Sequence, residues 1–257
     1  MKTTNSNISA LMITYNEIHH IEEVINNVAF ADEIIVVDSH SSDGTFEKLS
    51  EMDNVKVILR EFKNFADQRN FAIAQANCEW VFFIDADERL TPESQKEIVE
   101  TVKNSTGVDA FKIPRRFMFN DKVIRFSGLQ TDQVFRLFRK GVTTYREDKL
   151  VHELLDFKGE FKVLKHDMLH YSFSDYESYK QKTEHYGLLK AQELLKKGKR
   201  PNWFHFFVKP AYKFLANYIF RLGFLDGKEG YIICTLNAYG VFYRYKALEH
   251  LLATTPK

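Results

Sequence analysis

Short apolar runs alternate with helical segments through the first hundred residues, and this alternation constrains the fold more than any other feature. The runs at residues 8–13, 33–38, 55–59 and 80–85 have the length and the near-continuous apolar character of buried strands. Helical segments with capping residues separate them. Buried strands that alternate with helices are typical of a parallel sheet covered on both faces. The sequence therefore predicts an α/β fold built on a parallel or mostly parallel sheet.

The pattern changes after residue 108. Shorter strand-like pieces occupy residues 109–172, and helical segments dominate residues 173–257. A chain of 257 residues is long enough for one large domain with an appendage. We therefore expect one domain over residues 1–172, divided near residue 108, followed by a helical C-terminal region.

Polar residues follow three of the predicted strands. The motif Thr-Tyr-Asn-Glu at 14–17 follows the first strand, Asp38 ends the second, and Asp-Ala-Asp at 85–87 ends the fourth. Ligands of open parallel sheets bind beyond the carboxyl ends of the strands. We therefore expect these residues to meet at one edge of the sheet and to form a binding site there.

Asp85 and Asp87 form a carboxylate pair separated by one residue. Such a pair can direct oxygens towards one divalent cation, and Mg²⁺ or Mn²⁺ prefers one or two carboxylates together with phosphate oxygens. A bound metal would act as a Lewis acid on a departing nucleoside diphosphate. The alternative is that the two acids only cap the loop before the helix that begins near Pro92. The buried strand before the pair favours the metal site.

The chain resembles family 2 of the glycosyltransferases, which have the GT-A fold. The resemblance covers residues 8–90 and rests on four motifs, at 14–17, at 36–45 (Val-Val-Asp-Ser followed by Ser-Asp-Gly-Thr), at Arg69-Asn70 and at 85–87. It implies an inverting, metal-dependent transferase with a Rossmann-like mixed sheet and a helical appendage. Residues 1–108 would bind the nucleotide-sugar, and residues 109–172 would face the acceptor.

A narrower resemblance points to the lipopolysaccharide-core β-1,4-glucosyltransferase branch of the family. It rests on Asp132, on Arg-Leu-Phe-Arg-Lys-Gly at 136–141, on Val-His-Glu at 151–153 and on the glycine-containing segment at 222–230. The donor is then expected to be a UDP-sugar such as UDP-glucose. The acceptor is expected to be a saccharide or a lipid-linked saccharide of the cell envelope.

The resemblance also implies roles for individual residues. Glu17 and Asp38 would accept hydrogen bonds from the base and the ribose, and the guanidinium of Arg69 would meet the diphosphate. On the residues alone, Glu17 fits equally well as an acid favoured at a helix N-terminus. The expected donor-binding residues are Thr14, Tyr15, Glu17, Asp38, Ser41, Asp43, Arg69 and Asp85.

The metal and the general base follow from the same resemblance. Asp87 would hold the metal directly, whereas Asp85 would face the ribose or reach the metal through water. His152 is the candidate third ligand, because some GT-A enzymes use a late histidine, and His170 ranks below it. The alternative for both histidines is a structural hydrogen bond. Inversion needs one general base for the acceptor hydroxyl. Asp132 is the first candidate for this base and Glu153 is the second.

The basic, aromatic C-terminal region allows two interpretations. From Asp175 onward the chain has 14 Lys and Arg against 7 Asp and Glu, and aromatic residues cluster at 203–220. Such a segment suits a helix in an anionic membrane interface, which predicts a peripheral membrane contact. It also suits a helix pair that buries its apolar face on the rest of the protein. The most apolar stretch contains three basic residues and is not expected to span a membrane.

Composition and the opening residues predict the location. The polar start shows no pattern of a cleavable signal, and Cys78 and Cys234 fit no metal-ligand spacing. We therefore expect a cytoplasmic protein, placed at the inner face of the cytoplasmic membrane where the membrane contact forms. The net charge of +1 and the lack of a recognition motif argue against nucleic-acid binding.

Two other functions fit part of the pattern. A sugar-nucleotide nucleotidyltransferase uses a glycine-rich loop after the first strand, whereas the first glycine here is Gly44. A non-catalytic membrane-surface module with a decayed glycosyltransferase fold would have lost donor residues, whereas Glu17, Asp38, Arg69 and Asp87 are all present. Both alternatives are therefore disfavoured.

Overall fold

The computed structural model describes residues 6–145, 157, 159–173 and 175–254. The chain forms two compact units. One comprises Met1–Arg115 and Gln133–His170, and the other comprises Arg116–Asp132 and Tyr171–Lys257. The sequence assigns residues 116–132 to the first domain, whereas in the structure this stretch clusters with the helical C-terminal part.

The first unit begins with four parallel strands. These are β1 (Ile8–Thr14), β2 (Glu33–Asp38), β3 (Val55–Leu59) and β4 (Trp80–Phe83), which lie side by side in the order β3-β2-β1-β4. The predicted strands are confirmed, although β4 ends at Phe83, two residues before the predicted end. The helices of this unit are α1 (Ile21–Asn27), α2 (Thr45–Ser50), α3 (Phe65–Gln75) and α4 (Pro92–Asn104).

Two helices of this unit, α3 and α4, begin at side-chain caps, whereas α1 and α2 begin without one. The side chain of Asn64 accepts a hydrogen bond from the backbone N–H of Asp67 at 2.9 Å, which caps α3. Thr91 caps α4, because its Oγ1 accepts a hydrogen bond from the backbone N–H of Ser94 at 3.2 Å. Pro92 occupies the first turn of α4, where a missing N–H costs no helical hydrogen bond. Local sequence therefore fixes both helix starts.

Further strands make the sheet mixed. They are β5 (Glu88–Leu90), β6 (Ala110–Phe119), β7 (Lys122–Ile124), β8 (Gln133–Arg139), β9 (Phe161–Val163) and β10 (Met168–Phe173). Among the described residues the strand order is β3-β2-β1-β4-β8-β6-β10-β5, and β7 and β9 both pair with β6. β8 is antiparallel to β4 and β6. The predicted α/β fold with a mixed sheet is confirmed, while β5 and β10 were not predicted.

Both faces of the parallel strands are buried. Ile8, Ala10 and Met12 of β1 belong to one core cluster, and Leu11 belongs to another. Because successive side chains of a strand point to opposite faces, helices cover the sheet on both sides. This double burial is the physical reason for the near-continuous apolar runs in the sequence.

The second unit is mainly helical. Its elements are α5 (Tyr176–Lys196), α6 (Trp203–Phe206), α7 (Val208–Leu215), a π-helical turn (Ala216–Phe220), a 3₁₀ turn (Gly223–Asp226) and α8 (Gly227–Thr254). Ala191 of α5 and the side chains of Tyr245 and Leu248 of α8 form a buried cluster between the two long helices. Within the described residues, no helix is both long and apolar enough to cross a membrane.

Asp226 explains why residues 116–132 cluster with the helices. Its carboxylate is buried and accepts hydrogen bonds from the backbone N–H groups of Arg125 and Phe126, both at 3.0 Å, and from Ser127 Oγ at 2.7 Å. A buried carboxylate is stable only when it is hydrogen-bonded in this way. The stretch after β7 is therefore tied to the segment that opens α8.

Candidate functional site

The loops that follow β1 and β2 are held together by Asp38. Its carboxylate is fully buried and accepts hydrogen bonds from Thr14 Oγ1 at 3.0 Å, from Ser41 N at 2.8 Å and from Ser41 Oγ at 2.6 Å. Thr14 and Asp38 are opposite each other in the parallel register, which brings these groups together. Asp38 thus organises the carboxyl edge of the sheet.

The backbone after β1 is fixed by side chains from the loop after β2. Ser41 Oγ accepts a hydrogen bond from Asn16 N at 2.8 Å, Thr45 Oγ1 accepts one from Glu17 N at 2.9 Å, and Asp43 Oδ2 accepts one from Ile18 N at 3.0 Å. Asn16 has a φ of +58°, a left-handed conformation that asparagine tolerates better than most residues. These bonds orient the predicted donor residues of this loop.

Glu17 has a raised pKa at this edge. Burial, followed by repulsion from Asp87, Asp43 and Asp85, raises the pKa of Glu17 to about 7. Neighbouring carboxylates disfavour one another's ionised forms. The edge is thus an electronegative region that a cation would stabilise. The neighbouring Tyr15 side chain is 60% exposed, so its ring is accessible there.

Asp85 is held by two arginines. Arg69 Nη2 donates to Asp85 Oδ1 at 3.0 Å, and Arg136 Nη2 donates to Asp85 Oδ2. Burial alone would raise the pKa of Asp85, but the charges of Arg136 and Arg69 hold it well below its usual range. Both carboxylate oxygens have cationic partners, so Asp85 is less suited to direct metal binding than Asp87.

Arg69 is itself fixed by aromatic rings. Its guanidinium lies 5.5 Å from the ring centre of Phe83 and 5.3 Å from that of Tyr145. Such cation–π contacts restrict the orientation of the side chain. Asn70 also pairs with the backbone of Tyr145, donating to its carbonyl at 2.9 Å and accepting from its N–H at 2.8 Å. The motif Arg69-Asn70 therefore anchors Tyr145 beside Asp85.

Glu88 lies beneath the carboxylate pair and was not predicted as a site residue. Its side chain is fully buried. Glu88 Oε2 accepts a hydrogen bond from Asp85 N at 3.0 Å, and Oε1 accepts from Arg136 at 2.6 Å and from Arg115 at 3.3 Å. The available sequence signal was two charged residues, Glu88-Arg89, directly before an apolar leucine. Glu88 and Arg136 fix the loop that carries Asp85.

Arg89 also stabilises the loop between β4 and β5. It is 5% exposed and donates to the carbonyl oxygens of Ala86 at 2.6 Å and Glu88 at 2.7 Å. It also reaches the carbonyl of His20 at 3.2 Å and the carboxylate of Glu23 at 3.0 Å. The loop between β4 and β5 is therefore pinned to the start of α1.

Asp87 lies beside His170. His170 Nε2 is 3.2 Å from Asp87 Oδ2. The antiparallel pairing of β10 with β5 sets His170 opposite Glu88, the residue that follows Asp87. The sequence ranked His170 below His152 as a metal ligand, because nothing in the local pattern reveals this long-range pairing.

Three further residues were predicted as general base or metal ligand. Asp132 belongs to the second unit, where its backbone N–H donates to the carbonyl of Leu129 at 3.3 Å. His152 and Glu153 lie outside the described residues. The roles of Asp132 and Glu153 as general base and of His152 as metal ligand therefore stay predictions.

The edge of the sheet, as far as the structure describes it, offers few protein ligands for a divalent cation. Within the described ranges, no group of three or more His, Cys, Asp and Glu side chains is arranged to hold a metal ion. Asp87 and His170 provide two suitable donor atoms next to each other. Mg²⁺ and Mn²⁺ are often bound by few protein ligands with substrate phosphates supplying the rest. The pair therefore fits a metal that is bound together with a diphosphate.

The fold is the GT-A fold, which the chain shares with solved glycosyltransferase structures. The mannosyltransferase PcManGT from Pyrobaculum calidifontis, in complex with GDP-Man and Mn²⁺, has a TM-score of 0.51 and 16% identity, covering 98% of this chain and 76% of that one. S. aureus TarS 1–349 in complex with UDP-GlcNAc has a TM-score of 0.50 and 18% identity, covering 96% and 91%. At these identities the likeness concerns the fold alone.

Sequence similarity identifies the family to which the chain belongs. The model of glycosyl transferase family 2 matches residues 9–172, more than half of the chain, and the protein belongs to this family. A Rickettsia bellii protein described as an uncharacterized glycosyltransferase is 30% identical over 95% of this chain and 86% of its own length. The lipopolysaccharide core biosynthesis glycosyltransferase LpsC of Rhizobium meliloti is 26% identical over 93% of each chain. The predicted family membership is confirmed.

Proposed function

We propose that this glycosyltransferase moves a sugar from a UDP-sugar such as UDP-glucose to a saccharide or lipid-linked acceptor, with inversion at the anomeric carbon. The observation that carries the proposal is the contact between Asp87 and His170 at the edge of the sheet where Asp38 organises the loops. Asp87 and His170 provide two candidate metal ligands at the carboxyl end of the strands, where open α/β sheets bind their ligands.

The donor would lie along the carboxyl edge. In this proposal Thr14, Tyr15 and Glu17 contact the base, and Asp38, Ser41 and Asp43 shape the ribose pocket. The two arginines at Asp85 carry positive charge to the same edge. The fold neighbours described in complex with GDP-Man and with UDP-GlcNAc support a nucleotide-sugar as the donor class.

Asp87 and His170 would hold Mg²⁺ or Mn²⁺. A bound divalent cation supplies Lewis-acid stabilisation of the charge that grows on the leaving diphosphate. The protein contributes geometry, because Glu88 and Arg136 hold the loop between β4 and β5 in place. Asp85, with an arginine at each oxygen, would keep the guanidinium of Arg69 in position for the diphosphate.

Inversion requires a base that accepts the proton of the acceptor hydroxyl as its oxygen attacks the anomeric carbon. Asp132 remains our first candidate for this role, and Glu153 is the second. A carboxylate in this role typically contributes a factor of about 10² to 10⁴ to the rate. Asp132→Asn should therefore bind donor normally but transfer sugar at least 100-fold more slowly, as measured by product formation.

The acceptor proposal rests on the sequence relatives. The Rhizobium meliloti relative is described as acting in lipopolysaccharide core biosynthesis. A lipid-linked saccharide of this kind would place the enzyme in the cytoplasm, at the inner face of the cytoplasmic membrane as a peripheral protein.

The central experiment is titration calorimetry of UDP and UDP-glucose with and without Mn²⁺. We expect binding that Mn²⁺ strengthens, and we expect Asp87→Ala to remove this strengthening while the far-UV circular dichroism spectrum is retained. Asp53→Ala changes an exposed aspartate elsewhere in the first unit and serves as the matched control. If UDP, GDP and their sugars all fail to bind with metal present, the proposed catalytic role is wrong.

A further inference from the structure

The outward side of the second unit carries a continuous apolar stripe. Along α6, α7 and the π-helical turn, apolar residues recur every three or four positions, and each is at least 36% exposed. This spacing places them on one face of a helical path. We name this face the outer stripe, and it consists of Phe204, Val208, Tyr212, Leu215 and Ile219.

The largest side chains flank this stripe and are more exposed still. Trp203 and Phe207 are each 68% exposed, and Phe220 is 78% exposed. Contiguous apolar patches of this kind mark interaction surfaces, whereas single exposed apolar residues need no explanation. The outer stripe therefore requires a partner.

α7 packs Phe214 against Tyr231 of α8 and also carries an exposed apolar face. Its two lysines do not extend into solvent beside the stripe. Lys209 Nζ donates to Tyr245 Oη of α8 at 2.7 Å, and burial lowers the pKa of the half-buried Lys213. A helix of a soluble protein normally buries its apolar face and exposes its cations. Part of the apolar surface of this segment is therefore buried on α8, while the outer stripe stays exposed.

The charges around the stripe identify the partner as anionic. From Lys196 to Leu225 the sequence has seven Lys and Arg residues and no Asp or Glu. Lys197, Lys199 and Arg200 are exposed just before α6, and Arg221 is exposed at the other end. A second copy of this chain would bring the same cations against each other in a two-fold interface, which disfavours a dimer. An anionic bilayer matches both the apolar stripe and the cations.

We propose that the segment 196–225 docks on an anionic membrane interface, with the outer stripe in the acyl boundary and the exposed cations among the lipid phosphates. The segment lies on the membrane and does not cross it, as a helical path with one apolar face does. This inference deepens the proposed membrane location. It is independent of the donor, the metal and the base.

Trp203 provides a direct test in the unchanged protein. The chain has two tryptophans, and Trp80 is 1% exposed in the core, so an emission change on lipid addition reports on Trp203. Vesicles of phosphatidylcholine with 30% phosphatidylglycerol should shift the emission to shorter wavelength, and Trp203→Phe should remove the shift. No shift would overturn the proposal.

Vesicle flotation then tests the stripe and the cations separately. Tyr212→Ser/Leu215→Ser/Ile219→Ser should weaken binding about tenfold or more. Lys197→Gln/Lys199→Gln/Arg200→Gln should weaken it about fivefold for each cation and reduce its salt dependence. The matched control is Tyr176→Ser/Tyr186→Ser/Leu188→Ser, which removes three exposed apolar side chains from α5 and should leave binding unchanged.

Three results would overturn the proposal. They are equal flotation of the stripe variant and the wild type, equal binding to pure phosphatidylcholine, and a dimer in sedimentation equilibrium that the stripe variant abolishes. UDP binding is measured in parallel. These exposed substitutions lie far along the chain from the donor residues and should leave UDP binding unchanged. Lost flotation with retained UDP binding supports the docking surface, whereas retained flotation without UDP binding contradicts only the proposed activity.

Discussion

His170 Nε2 lies 3.2 Å from Asp87 Oδ2, which puts an imidazole beside the second acid of the Asp-Ala-Asp motif. The contact depends on the antiparallel pairing of β10 with the three-residue strand β5. It gives Asp87 a neighbour that is also a common metal ligand. Asp85, two residues earlier, has arginines as neighbours instead.

Removing His170 should lower the affinity for Mn²⁺ more than the affinity for the nucleotide. We expect His170→Ala to raise the Mn²⁺ concentration needed for half-maximal UDP-sugar hydrolysis tenfold or more. His166→Ala, which changes an exposed histidine just before β10, should have no effect. An unchanged Mn²⁺ requirement in His170→Ala would exclude it as a ligand.

Arg136 should be needed for stability. It is 3% exposed and pairs with the fully buried Glu88, so Arg136→Met leaves a buried carboxylate without its main counter-charge. Breaking a buried ion pair costs about 3–5 kcal/mol. Urea unfolding should detect a loss of this size.

The control for this experiment is an exposed ion pair of the second unit. Lys190 Nζ and Glu193 Oε2 are 3.0 Å apart at the surface of α5. Glu193→Gln should change the free energy of unfolding by less than about 1 kcal/mol. Similar losses in Arg136→Met and Glu193→Gln would show that the buried pair has no special role.

Glu17 should make stability depend on pH. Its pKa is about 7 in the folded state, against 4.5 for an unperturbed glutamate. The folded state therefore binds more protons than the unfolded state between these values, and stability from this group falls as pH rises through the window. Glu17→Gln removes this loss, so the variant should be more stable than the wild type at pH 8.

The measurement is the difference in Tm between wild type and Glu17→Gln from pH 4 to pH 8, in buffer with EDTA. The difference should grow above about pH 5 and level off above about pH 7. Because the carboxyl is only partly buried, the gain stays below the ~1.4 kcal/mol per pKa unit of complete burial. A Tm difference that is constant over this range would contradict the raised pKa.

Gly230 should tolerate no side chain. A Cβ built there would lie 2.0 Å from the carbonyl oxygen of Gly223, which is backbone and cannot rotate away. Gly230→Ala should therefore lower the free energy of unfolding by about 1–3 kcal/mol or more. Gly240→Ala meets only the side chain of Thr183 and should cost less. Equal losses in thermal unfolding would indicate that Gly230 is not tightly packed.

The glycine-containing segment 222–230 illustrates what a motif can and cannot say. From the sequence it contributed to the likeness with one branch of the family. In the structure, Gly223 and Gly230 allow a close backbone approach, and Asp226 ties the stretch after β7 to the helices. Within the described residues its contacts are the structural ones of the second unit, namely packing, hydrogen bonds and the ion pair of Glu229 with Lys122.

The sequence by itself determined the parallel strands, the helix starts at Asn64 and Thr91, and the family. These follow from local causes, since burial on both faces produces continuous apolar runs and capping residues act within one helical turn. The motif residues at the ends of β1 and β2 could also be placed, because parallel strands bring their carboxyl ends to one edge.

Only the tertiary structure decided which partners these residues meet. The strands β5 and β10, the contact of His170 with Asp87 and the arginines around Asp85 depend on pairings between distant segments. The sequence also could not show whether the outer stripe is exposed, because helical spacing defines an apolar face but does not say whether that face is buried or exposed. The spacing of apolar residues in the sequence defines the apolar face of a helix, whereas tertiary packing determines whether that face is buried or exposed.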